Sequence, residues 1–508
     1  MRNSRERKTK SSRFIFSFFA FCLLAFVFDA AAKAQTEQPP TPGKPRTTMI
    51  PKPIEKTLGN GLRVIVIERK NVPLVTAQLL IKSGGEVDPN NLAGAANLTA
   101  ELLIKGTKTR TAPQIAEQIE FLGGSIESGA AWDASNVTIR VMSDKLDRAM
   151  AIAADTIINP TFAQEEIDRY KTQLLDELSV SLKQPGALAG YVANNVVFGN
   201  SSYGHPLTGT PESINRLTRQ DLIKIHEQYY NPSNAIIVIA GDIAPTAAFA
   251  LSEKHFAGWK SQNSQNKYSR IQFAGLQQSP RNSTKAKVGK ITVIDLPNAG
   301  QAAVSVAQSG VARNDAGYFQ GLVANAVLGG GYSSRLNQEI RIKRGLSYGA
   351  SSSLVSQRTG GIFITRTQTK NESAAEVAEI MMNELNRLAE SPIAKDELAP
   401  RESVLIGNFS RDLETTNGLV EQIGELALYN LNLNEINSYI QNVEQVSDAQ
   451  ARQFVQNLYE RSGANVVIVG DAKKFLPDLQ KRFGSATIDV VPIAELDLNN
   501  ASLRKTKS

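Results

Sequence analysis

His226-Glu227-Gln228-Tyr229-Tyr230 opens like a zinc-binding helix and then fails, because tyrosine stands where the second imidazole is required. Two imidazoles at i and i+4 share a helix face and grip one zinc ion together; a single one cannot replace the pair. Only two other histidines exist in the 508 residues. His205 lies in the turn-like Tyr203-Gly-His-Pro-Leu-Thr-Gly209, and His255 in a helix that stops at Gly258-Trp259, so all three are read as structural. A serine nucleophile would call for a G-x-S-x-G elbow leading from a strand into a helix, and the one occurrence, Gly345-Leu-Ser-Tyr-Gly349, follows a predicted helix end instead. The one cysteine, Cys22, sits inside an apolar N-terminal run. Once that run is removed, disulfides, a thiolate nucleophile and cysteine-ligated metal are all ruled out.

A second cluster lies further on. Gly329-Gly-Gly-Tyr-Ser-Ser-Arg-Leu336 follows an apolar helix, with Glu339-Ile-Arg-Ile-Lys-Arg-Gly-Leu-Ser-Tyr-Gly349 close behind. No Lys-Ser/Thr pair follows at the spacing of a phosphate loop. By itself the triple glycine Gly329, Gly330, Gly331 reads as a helix cap and a tight turn. Arg341 is predicted to end a helix, Gly345 to break it and Tyr348 to start a strand.

The elements that must position these residues fall into two similar halves. Asn234-Ala-Ile-Ile-Val-Ile-Ala-Gly-Asp242 recurs as Asn465-Val-Val-Ile-Val-Gly-Asp471, each preceded by a helix opened by a hydroxyl cap, Thr218 or Ser447. Pro160-Thr-Phe-Ala-Gln-Glu-Glu166 likewise matches Pro392-Ile-Ala-Lys-Asp-Glu397. Within the first half, Leu62–Ile67, Val75–Ile81 and Val137–Val141 read as strands. Helices are predicted over Leu92–Ile104, from Thr111 to Gly123, and over Lys145–Ile157. The expected fold is α+β: two homologous domains, each a mainly antiparallel sheet backed by helices, joined by a linker. The boundaries are a leader over 1–34, a Pro-rich tether over 35–55, domains over 56–259 and 291–488, a polar linker over 260–290 and a polar tail over 489–508, frayed after Leu496.

Charge and leader narrow the class. Of the net +7, residues 1–34 supply +5, and no Lys/Arg cluster interleaved with aromatics remains, so no nucleic-acid partner is expected. Arg2 to Arg13 form a basic region, Phe14–Phe28 a short apolar run, and Ala32-Lys33-Ala34 a cleavage site. The run is short for a bilayer span of ~20 residues, which favours a cleaved signal peptide over an uncleaved anchor. An exported protein, periplasmic or secreted, with no stable membrane span after cleavage is the expectation.

Leu58-Gly-Asn-Gly-Leu62, Ser83-Gly-Gly-Glu-Val-Asp88 and Gly94-Ala-Ala-Asn-Leu-Thr-Ala-Glu-Leu-Leu-Ile-Lys-Gly-Thr107 resemble the opening of a pitrilysin/insulinase zinc peptidase domain. In that resemblance the inverted H-x-x-E-H motif places its two histidine ligands at Asn97 and Glu101 and its catalytic glutamate at Ala100. The distal ligand falls on Glu177, the one active-site position retained. Asn is a poor zinc ligand and Ala100 cannot take a proton from water. Glu177 reads either as a hydrogen-bonded relic on the Ile167, Tyr170, Leu174 stripe or, with Asn97 and Glu101, as part of a hard-cation site.

The resemblance also implies that Gly329–Gly331, Arg341 and Tyr348 are the family's glycine-rich segment and its substrate-holding Arg/Tyr pair. Arg offers a forked permanent cation for carbonyl or carboxylate oxygens, and a Tyr hydroxyl can donate to a developing oxyanion. The implied function is a non-catalytic, substrate-binding subunit of a heteromeric zinc peptidase. It needs no cofactor of its own; a zinc-motif homologue is its partner in a heterodimer, and unstructured peptides are the substrates. A structural or peptide-binding scaffold of the same fold is the alternative, and an autonomous peptidase with an unusual site a third reading.

Overall fold

The computed structural model describes residues 50–89, 91–260, 288–461 and 463–505. The leader with its cleavage site, residues 35–49 of the tether and 261–287 of the linker lie outside them. Strands β1 (Ile54–Thr57), β2 (Arg63–Glu68), β3 (Leu74–Ile81), β4 (Ser125–Ala130), β5 (Ser135–Met142) and β6 (Ala235–Gly241) form one sheet in the order β1-β2-β6-β3-β5-β4. Only β2 and β6 run parallel; the other neighbours are antiparallel. Helix starts are set by caps that the sequence announces. Thr111 and Gln114 bond reciprocally at the head of Ala112–Phe121, and Thr218 and Asp221 do so at the head of Arg219–Tyr229.

The second sheet repeats the first. Strands β7 (Val288–Asp295), β8 (Ala302–Ser309), β9 (Ala350–Ser356), β10 (Gly361–Thr369), β11 (Ala464–Gly470) and β12 (Ile488–Pro492) lie in the order β12-β7-β11-β8-β10-β9. The repeated Asn-to-Asp runs become β6 and β11, each inserted beside the first long strand of its sheet. The copies part at one edge. The place of antiparallel β1 is taken by β12, which arrives from the C-terminus and runs parallel to β7. Two mainly antiparallel sheets backed by helices make an α+β fold of two homologous domains.

Every residue of β6 is buried, which its unbroken apolar sequence requires of a strand covered on both faces. One face, through Ile237 and Ile239, packs on helices of its own half. The other, through Ile236 and Val238, packs on Leu419, Val420 and Ile423 of the helix Thr416–Leu428, which belongs to the second half. The exchange is reciprocal. Helix Pro185–Phe198 of the first half lays Leu188, Val192 and Val197 on Ala303, Ile364 and Val467 of the second sheet. Each such side chain contributes about 1.5–3 kcal/mol on burial, so neither half closes its core alone.

Two boundary expectations need correction. Residues 50–55 are not a free tether: Ile50 is buried and its amide bonds Asn437 Oδ1 at 2.9 Å, while Ile54 and Glu55 already belong to β1. The tail is not frayed within the described residues either. After β12, Leu498 and Leu503 fill the core under helix Pro185–Phe198, and Arg504 pairs with Asp489 and Glu495 at 2.8 and 3.0 Å. Two leucines spaced through a polar segment suffice to dock it.

Candidate functional site

Helix Ala95–Leu102 carries three of the four positions aligned with the zinc motif. The Asp88 carboxylate sits at its N-terminus and accepts from Gly94 N and Ala96 N, both at 2.7 Å, a favourable place for an anion. Asn97 is buried, and Ala100 is completely so. Ser128, on edge strand β4, donates its hydroxyl to the Ala100 carbonyl at 2.6 Å, fixing the helix against the strand. Glu101 is half-buried; burial raises its carboxyl above the usual range, against the pull of Lys105 and Tyr170, with Glu177 adding repulsion.

Glu177 does not face the core, contrary to the stripe reading. It is exposed, and Gln173 Nε2 donates to it at 2.9 Å; the buried stripe continues through Leu178, one residue on. Zinc does not fit this set. Asn97 offers only a neutral amide oxygen, Glu101 is engaged by Tyr170, and Ala100 carries no base. Among the described residues, no three His, Cys, Asp or Glu side chains group so as to hold a metal ion.

The histidines are engaged elsewhere. His226 is buried, its Nε2 2.7 Å from the Ile157 carbonyl and its ring stacked on Tyr230. His255 bonds Asp147 at 2.6 Å, and His205 bonds the Pro206 carbonyl at 3.1 Å beside Trp132.

In the second half, helix Tyr318–Leu328 ends at the glycine run. A Cβ on Gly329 would fall 2.2 Å from Ser352 N of β9, so only glycine permits the approach. Gly330 is crowded by the Ala326 backbone at 2.7 Å, whereas Gly331 would meet nothing. Arg341 lies in a π-helical turn, Asn337–Ile342, a wide winding often found at functional sites. Gly345 takes φ +62°, which ends the helix as expected. Tyr348 does not start a strand, since β9 begins only at Ala350; it sits on the bend before it.

What these two residues share is outward presentation. Tyr348 is 90% exposed, and Arg341 is exposed over Tyr332, whose ring centroid lies 4.9 Å from the guanidinium carbon. The bend under Tyr348 is held. Thr367 donates to the Gly349 carbonyl at 2.8 Å and Thr369 to the Leu346 carbonyl at 2.6 Å. Tyr332 and these threonines were not singled out by sequence; an aromatic directly after three glycines was the available signal. The two motif regions lie in different halves, and among the described residues no hydrogen bond or ion pair joins Arg341 to Glu101.

The halves also meet through charge. Arg358 of the second half bonds Glu86 at 3.0 Å and the Asp133 carbonyl at 2.7 Å in the first, and Tyr203 and Tyr429 both donate to Asp133 at 2.7 and 3.0 Å. Burial pushes Glu86 up to about 7 despite Arg358, and Asp88 up to about 8 despite its backbone donors.

Comparison with known proteins places this architecture. Residues 63–210 match the family described as insulinase (peptidase family M16), and residues 216–400 match the peptidase M16 inactive domain. An uncharacterized zinc protease of Mycobacterium leprae is 27% identical over 424 residues, covering 83% of this chain and 93% of its own. One of Bacillus subtilis is 24% identical over 369 residues, 73% of this chain and 86% of its own. Among solved structures, a peptidase M16 inactive domain from Pseudomonas fluorescens superposes with a TM-score of 0.74 at 24% identity, over 82% of this chain and 98% of that one. A protease from Helicobacter pylori also gives 0.74 at 20% identity, over 83% and 100%.

Proposed function

We propose that this chain, which belongs to the insulinase family (peptidase family M16), is the non-catalytic, substrate-binding subunit of an exported heteromeric zinc peptidase. The observation that carries the reading is a contrast within one molecule. The zinc helix holds Asn97, Ala100 and a half-buried Glu101, while Arg341 and Tyr348 stand outward on a braced segment. Exposed cation and phenol without a hydrolytic centre suit a chain that holds peptide for another chain's chemistry. A zinc-motif homologue, as the partner in a heterodimer, supplies the metal and its base. This chain's part is to bind and orient an unstructured peptide, through Arg341 toward its oxygens and Tyr348 toward the scissile carbonyl. Edge strand β4, beside the former zinc helix, offers free backbone groups for strand addition. Among the described residues no helix is long and apolar enough to cross a membrane.

The test is co-expression with a zinc-motif homologue followed by peptide cleavage. Arg341→Ala and Tyr348→Phe are expected to lower the rate of the assembled pair without dissociating it. Recovery of no such homologue, or unchanged rates in both variants, contradicts the proposal.

A further inference from the structure

Tyr332 is 64% exposed, and the Arg341 guanidinium lies over its ring. The loop that carries Tyr332 is clamped to helix Lys395–Asp412. Arg335 makes a two-bond fork to Glu397 at 2.7 and 2.8 Å, and Arg401, one turn further along, donates to the Ser333 hydroxyl at 2.6 Å and to its carbonyl. Asn337 donates to the Gly331 carbonyl at 3.2 Å and accepts from Ala350 N at 2.9 Å, tying the same loop to the strand beyond Tyr348. Tyr332 therefore stands on fixed backbone, and the ring limits where Arg341 can go.

A guanidinium placed over a ring is shielded on that side, which leaves the N–H groups in its own plane for a ligand. That fork matches the two oxygens of a carboxylate; a lone carbonyl engages one prong. Charge points the same way. Neighbouring Lys343 and Arg344 are both paired with Glu339, whereas Arg341 forms no ion pair among the described residues.

The geometry points to Tyr332 as a specificity-determining residue that restrains Arg341 for a carboxylate of the bound peptide, from an acidic side chain or a free C-terminus. The inference rests on the reading of Arg341 and Tyr348 as substrate-binding residues. It is tested by fluorescence anisotropy of the full chain with an unstructured labelled peptide in three forms: free C-terminal acid without Asp or Glu, C-terminal amide with one Asp, and C-terminal amide with none. Wild type is expected to bind at least one acidic form about tenfold more tightly than the neutral form, the strength of hydrogen bonds to a charged group. Whichever acidic form is preferred identifies the source of the carboxylate. Tyr332→Ala should shrink that preference about two- to fivefold, as loss of an exposed cation–ring contact would. Tyr332→Phe, which keeps the ring, should retain the preference. If Arg341→Ala abolishes the preference and Tyr332→Ala leaves it intact, the role of Tyr332 is wrong and the substrate-binding reading stands. If wild type binds none of the three forms, both fall.

Discussion

The Tyr170 hydroxyl, on helix Gln164–Ser181, lies within electrostatic contact of the Glu101 carboxylate, on helix Ala95–Leu102. A phenol thus engages the carboxylate at a position where the family's active members place an imidazole. Burial and the nearby carboxylates of Glu101 and Glu177 push the Tyr170 hydroxyl far above its ordinary range, so it remains a donor.

Restoring two ligands should therefore restore metal. Asn97→His with Glu101→His supplies imidazoles at i and i+4, with Glu177 within electrostatic reach of position 101. The double variant is expected to retain zinc through desalting and still to show no turnover, because position 100 lacks a base. Metal analysis by mass spectrometry checks the first point and a peptide assay the second. Adding Ala100→Glu overpacks a fully buried site, at a cost of about 1–3 kcal/mol.

The exchanged helices make the halves one folding unit. Leu188→Ala, at the contact of helix Pro185–Phe198 with the second sheet, should cost about 2–5 kcal/mol. Denaturation should stay a single transition by both fluorescence and circular dichroism. Two separated transitions would show that the crossing helices do not couple the halves.

Arg358→Met removes the only cation bonded to Glu86 among the described residues and the side-chain donor to the Asp133 carbonyl. Because Glu86 can take up a proton near pH 7, the loss expected in chemical denaturation is that of buried acceptors left unsatisfied, about 1–3 kcal/mol.

The same cluster gives a pH dependence. Glu86 ionises near 4.5 in the unfolded chain and at about 7 when folded, so between those values the folded state holds the extra proton. Stability then falls as pH rises through that window and levels off above it; Asp88, raised from 3.8 to about 8, acts in the same direction. Glu86→Gln should about halve the slope between pH 4.5 and 7 in a series of denaturant melts, leaving the part due to Asp88.

Arg341→Ala and Tyr348→Phe touch side chains that are exposed, so each should change stability by less than about 0.5 kcal/mol. Any rate loss in an assembled complex is then attributable to substrate handling rather than unfolding.

Much of this was legible in the sequence because it is local. The duplicated strands, the capping boxes at Thr111 and Thr218 and the glycine at 345 all follow from residue type and spacing. The exchange of helices was not. An apolar helix such as Pro185–Phe198 announces burial on several faces without naming the sheet it lies on. The docked tail escaped for a related reason, since Leu498 and Leu503 are isolated among polar residues and gain meaning only beside β12. Glu177 was misplaced because one residue of helical phase separates it from Leu178, a difference of about 100°. Tyr332 was overlooked because its partner, Arg341, lies nine residues away across a turn and a π-helical winding.

The most direct test is the zinc content and peptidase activity of the isolated full chain, measured before and after mixing with a zinc-motif homologue. Negligible zinc and no cleavage alone, with chelator-sensitive cleavage upon mixing, are predicted. One tightly held zinc per isolated chain together with chelator-sensitive turnover would contradict it.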